Sequence, residues 1–157
     1  MIAEHEPRLF RDDAAIRHIG EGLLDCALAR EEWTHEAHLA ACCWLVVERP
    51  DIIPERDLPD LIRRFNVSVG GVNSDSEGYH ETITQCFIRG VRLYLARTDP
   101  ERPLAAKVNG LLGSAEGRRD WPLRFYDPKT LFSRAARLEW AEPDSIALPE
   151  ISALSPN

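Results

Sequence analysis

Three of the five histidines in this 157-residue chain fall in two short motifs, Trp33-Thr34-His35-Glu36-Ala37-His38-Leu39 and Tyr79-His80-Glu81-Thr82. Imidazole is costly to bury without a partner and titrates near neutrality. Three rings at the heads of two apolar segments therefore point to a polar pocket. Three chemistries would use such a set. In the first the rings ligate a divalent transition metal: His35 and His38 can share one helix face, His80 adds a third nitrogen, and Glu36, Glu81 or Glu32 supplies a carboxylate. The spacing differs from the His-Glu-x-x-His of metalloproteases, and two helix N-termini repel a cation unless glutamates offset them. In the second, the same positive field holds a small carboxylate or phosphate compound, with Arg118, Arg119 or Arg124 as countercharge. His80 is then the candidate general base, flanked by Glu81, with Thr84 one turn below to orient it. In the third the histidines are structural, His80 being satisfied by a backbone carbonyl or a carboxylate from a neighbouring helix.

These residues must be positioned by helices, because apolar residues recur at helical spacing and strand-like alternation is nearly absent. The expected fold is all-α, a single domain over 1–157 built as a mostly up-and-down bundle of five or six helices. The first runs from a cap at Asp12 to about Arg30, with Ile16, Ile19, Leu23 and Ala27 on one side and His18 solvated on the other. The second, capped by Thr34, spans His35–Glu48 and is apolar nearly all round. A third, with Pro59 in its first turn, carries Leu61, Ile62, Phe65 and Val69 and ends at Gly70-Gly71. After a polar loop over 71–78, the fourth covers about Tyr79 to Arg97. Its buried side holds His80, Ile83, Thr84, Phe87, Val91 and Tyr94, leaving Gln85, Arg89 and Arg92 outward. A fifth spans Pro103 to Leu112, residues 114–127 are irregular, and a last helix covers Pro128 to Leu138. Residues 139–157 form an irregular tail lying across the surface or fraying.

Antiparallel neighbours with short connections make the second and fourth helices parallel, so His35, His38 and His80 meet at one end of the bundle. The loop 71–78 and the segment after Gly113 return to that end as candidate lids. Trp121, Arg118, Arg119, Arg124 and Tyr126 thereby become ligand-binding or rim candidates beside His35 and His38. Trp33, Trp44 and Trp121 also serve as plain core anchors, and Arg134 and Arg137 read as a solvated helix face.

The segments Trp33-Thr34-His35-x-x-His38-Leu39 and Tyr79-His80-Glu81-Thr82-x-Thr84, followed by Phe125-Tyr126 and Leu131-Phe132-Ser133-x-x-Ala136-Arg137, resemble those of a family of small bacterial all-helical proteins to which no activity is assigned. The resemblance covers about residues 30–144 and implies a shared fold and a shared site, but no substrate.

Composition narrows the partners. Twenty-six acidic against 19 basic residues give a net charge of −7, with the cations scattered, so neither nucleic acid nor an anionic membrane is an expected partner. Cys26, Cys42, Cys43 and Cys86 show no Cys-x-x-Cys spacing and read as buried thiols of a reducing, cytoplasmic protein. The start Met1-Ile2-Ala3-Glu4-His5-Glu6 lacks the basic and apolar runs of a signal peptide, and no stretch approaches a membrane span. A competing function is a non-catalytic interaction domain whose exposed apolar helices mediate self-association into a homo-oligomer or bind another protein.

Overall fold

A computed structural model describes residues 6–151. It is all-α: seven α-helices, three short 3-10 turns and, among the described residues, no strand. Expectations for 1–5 and 152–157 lie outside that range. Helix α1 (Asp13–Asp25) starts as expected, with the Asp12 carboxylate accepting the Ala15 N–H. It stops short of Arg30 because Cys26 turns left-handed, φ 52°, and the Ala27 N–H reaches back to the Gly22 carbonyl. Glycine normally makes that turn, so no sequence signal marked it. Leu28 then folds over Gly22, where a Cβ would lie 2.4 Å from Leu28 Cδ2, and Ala27 is left exposed outside the helix.

Helix α2 (His35–Glu48) has the expected bounds. Thr34 Oγ1 accepts the Ala37 N–H at 3.1 Å, and every residue from Leu39 to Leu45 is buried, as suits a central helix. Helix α3 (Pro54–Ser68) begins ahead of the expected start because Pro54, not Pro59, occupies the first turn. Pro59 lies inside the helix and has no N–H to give the Glu55 carbonyl. Gln85 Nε2 of α4 (Glu81–Ala96) donates to that carbonyl instead, at 3.1 Å. Gln85 and Arg92 therefore do not simply face solvent: Arg92 pairs with the Glu55 carboxylate, and together they brace α3 to α4.

Helix α5 (Leu104–Leu112) falls where expected, but the last expected helix divides into α6 (Pro128–Leu131) and α7 (Arg134–Leu138). Ser133 interrupts it by capping α7, its Oγ accepting the Ala136 N–H at 3.1 Å. Among the described residues the count is accordingly seven rather than five or six.

Two hydrophobic clusters hold the elements together. The larger joins α1, α2, α3, α4 and α5 through side chains such as Ile16, Leu23, Phe65, Val91 and Leu111. The smaller sets Cys86 and Leu93 of α4 against Trp121, Phe125, Tyr126 and Leu131. Each large side chain fully buried in these clusters contributes roughly 1.5–3 kcal/mol. Helix α4 is thus buried on two sides, a face more than its periodicity suggested. The segment after α7 is attached to it: Thr82 Oγ1 donates to the Glu139 carbonyl and accepts the Ala141 N–H, while the Ser145 N–H bonds Phe125 O. No helix among the described residues is long and apolar enough to cross a membrane.

Candidate functional site

The first two turns of α2 and α4 lie side by side, with α3 closing the space between them. They enclose an inner cavity of about 340 Å³. Trp33, His35, His38, Leu39 and Cys42 form one wall, Leu58 and Ile62 of α3 a second, and Ile83, Thr84, Phe87 and Ile88 of α4 a third. The wall is apolar except for two imidazoles, a thiol and a threonine. Thr84 Oγ1 is already committed, donating to the His80 carbonyl at 2.7 Å. Burial drives the Cys42 thiol well above its ordinary value, so it stays a neutral, soft wall atom.

Each cavity histidine donates from one ring nitrogen to a backbone carbonyl. His38 Nδ1 sits 2.7 Å from Thr34 O, and His35 Nε2 sits 2.8 Å from Gly117 O. A carbonyl only accepts, so the tautomers are fixed: His38 carries its proton on Nδ1 and His35 on Nε2. The remaining nitrogens, His38 Nε2 and His35 Nδ1, are acceptors with no partner among the described residues. Burial pushes the His38 pKa down to about 4, and burial together with the Arg119 cation lowers that of His35. Both rings are neutral at physiological pH. Trp33 stacks on His38 with ring centroids 3.9 Å apart, and its indole Nε1–H is buried without a partner.

A second, outer cavity of about 670 Å³ adjoins the first and shares Trp33, His38, Ile62, Ile83 and Thr84 with it. Its other walls come from Arg30 before α2, the C-terminal part of α3, the loop at Gly71, Val72, Glu77 and Gly78, and Tyr79-His80. The loop is fixed, not loose. Asn73 Oδ1 accepts from Asn66 and from the Tyr79 N–H, Arg134 pairs with Asp75 at 3.0 Å, and Arg137 donates to the Gly78 carbonyl. Arg134 and Arg137, expected as a solvated face, are therefore clasps between α7 and this loop. Gly78 has φ +78° and any Cβ would lie 2.2 Å from Val72 O, so glycine is required there.

His80 is placed differently from the other two rings. It is the N-cap of α4: Nδ1 accepts the Ile83 N–H at 3.1 Å and Nε2 donates to Leu131 O at 2.8 Å. Burial lowers its pKa, and with both nitrogens engaged the ring has no free lone pair for a substrate proton or a metal. Among the described residues, no three or more His, Cys, Asp or Glu side chains are grouped to hold a metal ion. Glu81 accepts from Tyr79 at 2.5 Å, and Glu32 binds the Ala29 N–H and pairs with exposed His18 at 2.8 Å. Glu36 is buried, with one oxygen 3.7 Å from Arg119 and the other without a partner.

Several rim candidates belong elsewhere. Trp121 and Tyr126 line neither cavity: Trp121 Nε1 donates to Cys86 O at 3.0 Å and Tyr126 to Ala141 O at 2.5 Å, inside the smaller core cluster. Arg118 pairs with Asp120, Arg119 with Glu36, and Arg124 lies over the Trp121 ring, so no arginine lines the inner cavity. The segment after Gly113 does return to this end, but its contribution is the Gly117 carbonyl that orients His35. Cys42, Leu58 and Phe87 went unrecognised as site residues, since nothing distinguishes a cavity wall from core in an apolar helix pattern. The chain matches no family model, no curated protein and no solved structure.

Proposed function

We propose that the protein binds a small, mostly apolar, uncharged group in the inner cavity, and that the group donates a hydrogen bond to His38 Nε2 or His35 Nδ1. The observation that carries this reading is a pair of neutral imidazoles, each locked by a backbone carbonyl, whose second nitrogens have no partner in a mostly apolar wall. Sites of this kind, concave and apolar with a few placed polar groups, are typical of small-molecule recognition. An anion is a poor occupant, because two lone pairs repel it and no arginine lines the cavity. Proton transfer is also disfavoured: a base held near pKa 4 is weak at neutral pH, and His80 is fully engaged. The motif resemblance to small bacterial helical proteins is part of this proposal and adds no substrate. The acidic balance and the four free thiols fit a cytoplasmic protein without nucleic-acid or membrane partners.

The test uses isosteric probes. Indole offers an N–H where benzofuran offers only an ether oxygen, so calorimetry should give indole about tenfold tighter binding, one net hydrogen bond. His38→Phe or His35→Phe, whichever removes the acceptor in use, should erase that preference, and the double substitution should erase it in either case. Absence of binding by indole, phenol and benzofuran at millimolar concentration would overturn the reading. The alternative, an association domain, draws on exposed Phe132, Leu138, Trp140 and Ile146 in the C-terminal segment. It predicts a molar mass in light scattering that rises with concentration and is indifferent to loss of the histidines.

A further inference from the structure

We infer that the outer cavity is the second half of the same site and takes the zwitterionic end, ammonium plus carboxylate, of an elongated ligand whose apolar end occupies the inner cavity. The inference rests on the binding reading above and extends it to a ligand class. The two spaces adjoin, with Trp33, His38, Ile62, Ile83 and Thr84 lining both. Two of the shared residues, Trp33 and His38, are in ring contact, and Trp33 sits on the connection before α2, outside any helix.

The outer walls offer two charges of opposite sign. Arg30, on the turn before α2, and Glu77, on the loop before α4, both line this cavity. Neither side chain has an ion pair or hydrogen bond among the described residues, and they do not pair with each other. Of the other ionisable groups there, His80 is bonded at both nitrogens and Tyr79 to Glu81, while His38, shared with the inner cavity, is a neutral ring with one open lone pair. Opposite charges that border one cavity without meeting suit a ligand dipole set between them, its carboxylate toward Arg30 and its ammonium toward Glu77. A lone anion or cation would satisfy one and leave the other.

The experiment is a titration series by calorimetry: indole, tryptamine, 3-(indol-3-yl)propanoate, L-tryptophan and L-tryptophylglycine. The dipeptide extends the reach of the zwitterion. At least one zwitterion should bind about fivefold more tightly than indole, with the singly charged probes gaining no more than about twofold, the scale of partly exposed ion pairs. The ratio of zwitterion to indole affinity should collapse to about one in Arg30→Gln/Glu77→Gln, whose substituted side chains are exposed. If indole binds but neither zwitterion gains, or the gain survives the double substitution, the outer subsite is refuted while the inner one stands. If indole itself does not bind, the underlying reading falls first.

Discussion

The two sides of α4 pack against aromatic side chains in opposite ways. Beside Cys86 and Leu93, Trp121 and Tyr126 have every polar atom bonded within the protein, and Thr82 both donates and accepts. Beside Ile83 and Phe87, Trp33 keeps an unpaired indole N–H and two imidazoles each keep an unused nitrogen. Aromatic content does not separate these regions. Hydrogen-bond completeness does, and buried polar groups left incomplete are what a ligand can complete.

The largest effect should come from the complete side. Trp121→Ala removes a filled core position and should lower unfolding free energy by about 4 kcal/mol in a denaturant titration. Indole affinity, read under conditions where the variant is folded, should be unchanged. Acid gives the next effect. His38 is held near pKa 4 in the fold against about 6.5 unfolded, so the unfolded chain binds the extra proton. That stability is whole above about pH 6.5 and declines as pH falls toward 4, by on the order of 3 kcal/mol. His35 and His80, also lowered, act in the same direction. Denaturation at pH 7, 6 and 5 should show this slope, reduced in His38→Phe; a flat profile would contradict the buried neutral ring.

His80→Ala should cost about 2 kcal/mol by removing the α4 cap and the bond to Leu131, and His80→Asn should recover about half, because asparagine also caps. The smallest effect is the sharpest test of the contrast. Trp33→Phe deletes an N–H that bonds nothing and should change stability by less than about 0.5 kcal/mol, whereas Trp121→Phe deletes a made bond and should cost about 1 kcal/mol. Equal costs would erase the distinction between the two regions.

Much of this arrangement was legible in the sequence. Thr34 before an apolar run marked the start of α2, and the up-and-down count of helices led to the expectation of His35, His38 and His80 at one end of the bundle. What escaped has specific causes. Cys26 ends α1 in a conformation usually reserved for glycine, and two prolines five positions apart made the wrong one look like a helix start. The split between committed and uncommitted histidines depends on carbonyls at Gly117 and Leu131, remote in sequence and invisible to any helical periodicity. Trp121 and Tyr126 sat in an irregular stretch whose aromatics could as well have been rim as core.

The proline inside α3 has a bearing on how anything gets in. Because Gln85 supplies the hydrogen bond that Pro59 cannot, prising α3 from α4 breaks that bond and the Arg92 pair as well, a net loss of about 1 kcal/mol for the Gln85 bond alone. Swinging the Trp33 indole aside breaks no hydrogen bond of its side chain. For the proposed ligand, the lower-cost opening is therefore on the tryptophan side, with the proline-bearing wall as a fixed jamb.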